Sequence, residues 1–197
     1  MRVLGWDCGA WLAWCLLDCA RSRPVYMSSG TIEVGAQRER RKGTKIRMIR
    51  EVDDEAIDRM RLAVVAVLRE QAPDLVAVER VQDVHPTGRH EARTGQATGT
   101  AIATGLVLAS GVAWALFCLT RERSIPCVTY EEADWRKALG CAPAPKGMSE
   151  DAWIGRVIPG RIDGWPGPRT TGITSHVRDA AGVAEYAAIK VRGGGRW

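Results

Sequence analysis

A chain of 197 residues, 46% of them apolar, is long enough for one sizeable domain with its own core, which sets aside a segment too small or polar to bury one. Its formal charge of +5 leans towards a polyanionic partner without establishing one, because a solvated basic surface gives the same balance. Arginine, which matches phosphate geometry better than lysine, supplies much of that charge. The six cysteines include no CxxC pair and mostly sit in apolar runs, so buried, reduced thiols in a cytoplasmic protein are expected. The first residues read as a strand and lack the layout of a secretory leader.

In chain order, residues 3–7, 11–17 and 25–34 are strand candidates that predict a β-meander. The first ends in an ionisable residue, Asp7, with Gly9 close behind. Asp7 is either a turn residue or a carboxylate held at the mouth of a sheet to bind a metal. The stretch 38–50 carries Arg38, Arg40, Arg41, Lys42, Lys45, Arg47 and Arg50, and reads equally as a solvated or disordered loop or as a phosphate-contacting arm. Asp53 can cap a helix running to Ala72, with Ile57, Met60, Val64, Val67 and Leu68 at helical spacing and Pro73 as its stop. The apolar run Leu75-Val76-Ala77-Val78 predicts a strand covered on both faces, and it ends in Glu79. A second buried strand thus delivers a carboxylate.

Residues 81–93 form a polar loop containing His85, Arg89, His90 and Arg93, and residues 95–99 open an apolar helix. Residues 101–119 carry no charge and are about long enough to cross a bilayer. Thr104, Gly105, Ser110 and Gly111 favour instead a long buried helix, or a helix broken near Gly111 and followed by a strand; either could supply a dimer interface. Residues 124–130 predict another strand and 131–139 a short helix bearing Trp135, Arg136 and Lys137. The region 140–172 is rich in Gly and Pro, includes Lys146 and Arg161, and looks helical only at 149–157. A final helix spans about 174–190. Strands first, then alternating helices and strands, give an α/β domain with a mixed sheet.

His176 and Asp179, three residues apart, share one face in the first turn of that last helix. Val177, Ala180, Ala181, Ala184 and Ala188 make its other side small and apolar, suited to close packing on a sheet. Alone, Asp179 is explained as dipole compensation and His176 as a surface histidine. With Asp7 and Glu79 the balance changes, because ligands gather at strand ends in open α/β sheets. Three neighbouring carboxylates repel and stay ionised together only beside a cation. Oxygen-rich sites of this kind suit Mg²⁺ or Mn²⁺, with an imidazole tolerated as one ligand. Two such ions are a recurring means of hydrolysing phosphodiesters.

The segments 3–9, 29–32, 72–79, 95–97 and 176–180 occur in the order seen in RuvC-type Holliday junction resolvases, which this chain resembles over nearly its whole length. That resemblance implies an RNase H-like fold, a homodimer, and cleavage of four-way DNA junctions with Mg²⁺ or Mn²⁺, two ions per active site. It implies that Asp7, Glu79, His176 and Asp179 are the metal-binding catalytic set, and that Lys146 is the active-site lysine that neutralises phosphate charge. Arg80, Arg89, Arg93, Arg136, Lys137 and Lys146 are the candidate DNA contacts.

The chain also departs from the family pattern. Arg80 stands where a second acidic residue is usual, residues 81–93 contain no aromatic residue to probe the junction core, and the helix after Gly95 is longer. His85, Arg89 and His90 are candidates for that probing role. The departures suggest a divergent member, from a phage, plasmid or organelle lineage, and leave open a nuclease that cuts flaps, forks or other branched DNA. An actin-like phosphotransferase shares the first-strand Asp-x-Gly but needs two such domains, for which this chain is too short. A non-catalytic junction-binding protein is the remaining alternative; the presence of all four proposed ligands gives it no support.

Overall fold

The structure, a computed structural model, describes residues 1–8, 11–33, 36–42, 45–51, 54–80, 111–167, 170 and 172–194, with backbone placement alone at 11, 36–42, 45–51 and 54. Three strands open the chain as expected: β1 (Arg2–Cys8), β2 (Trp11–Asp18) and β3 (Val25–Glu33), paired antiparallel in sequence. After the helix α1 (Asp54–Gln71), β6 (Leu75–Arg80) joins β1 in parallel, and β7 (Cys127–Glu131) joins β6 in parallel. The result is a mixed five-stranded sheet of order β3-β2-β1-β6-β7. β4 (Ala36–Lys42) and β5 (Lys45–Glu51) form a separate two-stranded sheet.

Strand alternation sorts the core into two layers. Leu4, Trp6 and Cys8 of β1, with Val76 and Val78 of β6, pack against Met60, Val64 and Leu68 of α1 and against Val112 and Leu116 of a helix over 111–122, here α2. Val3 of β1 and Leu75 and Ala77 of β6 pack on the other face. That face is covered by α3 (Glu132–Ala138), α4 (Glu150–Arg161) and α5 (Ser175–Arg192). Val3, Leu4, Trp6, Val76, Ala77 and Val78 have no exposed surface, so the central strands are covered on both sides, as a parallel pair requires.

Several expectations are refined. The basic stretch is a β-hairpin rather than a loop: Lys42 pairs with Lys45 across the two-residue connection Gly43-Thr44. Residues 111–122 are helical, which excludes a strand after Gly111; the preceding part of the apolar stretch lies outside the described residues, as does the 81–93 loop. Among the described residues no helix is long and apolar enough to cross a membrane. α4 continues to Arg161 through Pro159, because Ile158 and Ile162 stay buried on the sheet and compensate the missing backbone donor. Ile57, expected in the core with Met60 and Val64, is 47% exposed. All six cysteines are free thiols, and Cys8, Cys15, Cys19 and Cys141 are buried, as expected.

Candidate metal and nuclease site

β1 and β6 run side by side, with Trp6 opposite Val78. Asp7 and Glu79 are each one residue further on. Trp6 and Val78 both enter the α1–α2 layer, so alternation turns the two carboxylates to the α5 face of the sheet. Each sits where its parallel strand ends, the usual place for a ligand in such a sheet.

α5 brings the other two residues there. The Thr174 hydroxyl caps the helix by accepting the Val177 backbone N–H at 3.2 Å, which fixes where its first turn begins. Val177, Ala180, Ala181, Ala184 and Ala188 are fully buried against the sheet, the small face predicted for close approach. Gly5 permits that approach. A Cβ there would overlap the Ala180 carbonyl oxygen and lie 2.9 Å from the Ala184 methyl. Gly182 does the same for α3: the Trp135 ring occupies the space its side chain would need. His176 Nδ1 lies 2.7 Å from Asp7 Oδ2. Asp179 lies beyond the first turn of α5, so helix-end compensation does not explain it.

The electrostatics show one shared neighbourhood. Burial pushes Glu79 up to about 9, with Asp7, Asp179 and Glu132 adding repulsion and Arg136 opposing it. Burial likewise pushes Asp179 up to about 7, with Asp7 and Glu132 adding and Arg136 and His176 opposing. The hydrogen bond to Asp7 raises His176 above the usual histidine range. Glu79 Oε2 and Asp179 Oδ1 are buried without a hydrogen-bond partner. Such orphaned carboxyl oxygens beside an imidazole fit a hard divalent cation of the Mg²⁺ or Mn²⁺ type, which would favour their ionised form. The shell is not preformed: among the described residues no three His, Cys, Asp or Glu side chains are already grouped to hold one ion.

Among the described residues, Arg136 is a cation built into this neighbourhood. Its guanidinium lies 2.5 Å from Glu132, 3.4 Å from Glu150 and 3.6 Å from Asp179, and it packs beside the Trp135 ring. Only 17% of the side chain is exposed, so Arg136 is a partner of the carboxylates more than a free DNA contact. Sequence spacing offers the Glu132–Arg136 pair, four apart on one helix, but not Glu150 or Asp179, which come from other helices. Arg178, on the same helix as His176, lies over Gly155 and 3.7 Å from Asp151, holding α4 against α5. Lys146 is exposed in the turn before α4, Lys137 is exposed on α3, and Arg80 is exposed at the end of β6. Lys137 and Arg136 line a shallow groove with Glu132, Pro143 and Glu150. Arg89, Arg93, His85 and His90 lie outside the described residues.

No family profile matches the chain, and no curated sequence does. Its similarity is to solved structures. Thermus thermophilus RuvC superposes with a TM-score of 0.64 at 18% identity, over 98% of this chain and 97% of that one. The same organism's RuvC in complex with Holliday junction substrate gives 0.61 at 17%, over 99% and 97%. The yeast mitochondrial Holliday junction resolvase gives 0.51 at 16%, over 94% of this chain and 75% of the other. Along nearly its whole length, this chain therefore has the RuvC fold, an RNase H-like mixed five-stranded sheet flanked by helices.

Proposed function

We propose that the protein is a metal-dependent endonuclease that resolves four-way DNA junctions by paired, symmetric nicks. The observation that carries this reading is the shared electrostatic neighbourhood of Asp7 and Glu79, near the ends of β1 and β6, with His176 and Asp179 of α5, in a chain with the fold of RuvC. Those four residues would hold Mg²⁺ or Mn²⁺, two ions per site. Bound there, the ions would supply Lewis-acid activation of water and neutralise charge on the scissile phosphate and leaving oxygen.

The chain's own residues prepare the site. The Asp7 carboxylate accepts the His176 Nδ1–H and so orients the imidazole, while burial keeps Glu79 and Asp179 poorly hydrated. Arg136 limits their mutual repulsion without filling the ligand positions. Lys146, exposed before α4, is proposed to approach the phosphate only when DNA is seated. A homodimer supplies the second active site that paired nicks require. Its support is α2, where Trp114 is 68% exposed and stacks on Phe117 at 5.7 Å, an apolar surface suited to a second copy.

Incubating the protein with a synthetic four-way junction and Mg²⁺, beside linear duplex of the same arm sequence, tests the activity. Paired nicks confined to the junction are expected; their absence, or equal cutting of duplex, opposes the reading. Sedimentation at micromolar concentration tests the dimer, and a monomer there would oppose it.

A further inference from the structure

We propose that the β4–β5 hairpin is a phosphate-contacting arm that holds a duplex arm of the DNA bound at the carboxylates, through the face bearing Arg38, Arg40, Lys42, Lys45 and Arg47. The inference rests on the nuclease reading for its substrate and on the hairpin's register for its location.

Residues paired across an antiparallel ladder share a face, and alternate pairs share the same one. The observed register is Arg38 with Ile49, Arg40 with Arg47 and Lys42 with Lys45, all on one face. The other face takes Gln37 with Arg50, Glu39 with Met48 and Arg41 with Ile46. The seven cations form one undivided stretch in sequence; the pairing separates them. Five fall on one face, and two of its pairs place like charges directly opposite each other. Like charges in register oppose sheet pairing. A polyanion lying along that face turns the repulsion into binding, since each phosphate neutralised also releases condensed counterions.

The topology roots this arm at the right end of the sheet. Asp7 pairs with Ala13, and Ala13 pairs with Thr31, so Thr31 stands in the same row as Asp7 two strands away. That is about 10 Å across the sheet. The chain leaves β3 at Glu33, just beyond that row, and β4 begins at Ala36. A seven-residue strand spans about 20 Å, the scale of a DNA duplex rather than of a single phosphate. The hairpin adds no strand to the five-stranded sheet.

The test is the affinity of the full-length protein for a synthetic four-way junction and for linear duplex, in metal-free buffer across a salt series. R40Q/R47Q removes two charges from the basic face, R41Q/R50Q removes two from the other face, and R40K/R47K keeps the charge. We expect R40Q/R47Q to weaken binding to both DNAs by tenfold or more near physiological salt, and to flatten the log affinity against log salt slope by about 2. R41Q/R50Q should lose much less, and R40K/R47K should bind nearly as wild type. Equal losses in the two charge-removing variants would reduce the effect to net charge and overturn the proposal, as would a loss that R40K/R47K shares. A wild type that binds DNA through this face yet never nicks a junction with Mg²⁺ would refute the nuclease reading and leave the arm standing. A wild type that binds neither DNA would overturn both.

Discussion

Replacing Glu79 by Gln should make the metal-free protein more stable and the metal-bound protein harder to form. In the folded chain Glu79 is held up to about 9, chiefly by burial and then by Asp7 and Asp179, against an ordinary value of 4.5. Above pH 4.5 the unfolded chain loses this proton while the folded chain keeps it. Stability therefore falls by about 1.4 kcal/mol per pH unit until the folded group also ionises near pH 9. At pH 7 that amounts to about 3 kcal/mol. Glutamine has no proton to lose and keeps the shape, so Glu79→Gln should recover most of it. For a domain of this size the gain is about 5–10 °C in melting temperature. It should be small at pH 5, larger at pH 7 and largest near pH 9. Thermal unfolding in EDTA at those three values gives the comparison, and Mn²⁺ calorimetry should show weakened binding by the same variant. A variant that is less stable at pH 7, or whose gain is independent of pH, would refute the electrostatic argument. Undiminished Mn²⁺ binding would refute the ligand role.

The remaining expectations concern how the site is held. Gly5→Ala forces a methyl group against the Ala180 carbonyl and the Ala184 side chain, so it should cost about 2–3 kcal/mol in denaturant unfolding and abolish nicking by lifting α5 off β1. Arg136→Gln removes the cation that lowers both Glu79 and Asp179, so the pH for half-maximal Mn²⁺ binding should move upward, as read by calorimetry over a pH series. His176 is raised above 6.5, chiefly by its hydrogen bond to Asp7, and must be neutral to act as a ligand. Nicking should fall as pH drops through a midpoint above 6.5, and that midpoint should shift down as Mg²⁺ is increased. His176→Asp should retain substantial nicking in the same assay, while His176→Ala should not.

What the sequence revealed of this fold follows from where apolar alternation was strong. β1 and β6 were legible because uninterrupted apolar runs ended in Asp7 and Glu79, and the beginning of α5 was marked by Thr174 ahead of an alanine-rich face. The β4–β5 hairpin was not, because charges occupy both its faces and the Lys45-Ile46-Arg47-Met48 alternation is short and broken at Ile49; the Gly43-Thr44 connection was the other available signal. The end of α4 is hidden in the sequence because proline usually ends a helix, whereas the buried Ile158 and Ile162 hold its last turn in place. The role of Gly5 and the contacts of Arg136 with Glu150 and Asp179 depend on distant segments, which no local pattern encodes. Asp7, Glu79, His176 and Asp179 stand out in the sequence as candidates by type and position; the direct Asp7–His176 bond depends on α5 packing on β1, which no local pattern encodes.

The central claim is that Asp7, Glu79, His176 and Asp179 form one metal-dependent nicking centre. Mapping the cuts made in a 5′-labelled four-way junction with Mg²⁺, by wild type and Asp7→Asn side by side, tests it most directly. Nicks are expected at symmetry-related positions in two strands of like polarity, lost in EDTA and lost in a folded Asp7→Asn. Nicks made equally well by Asp7→Asn, or an intact junction after incubation with the wild type, would contradict it.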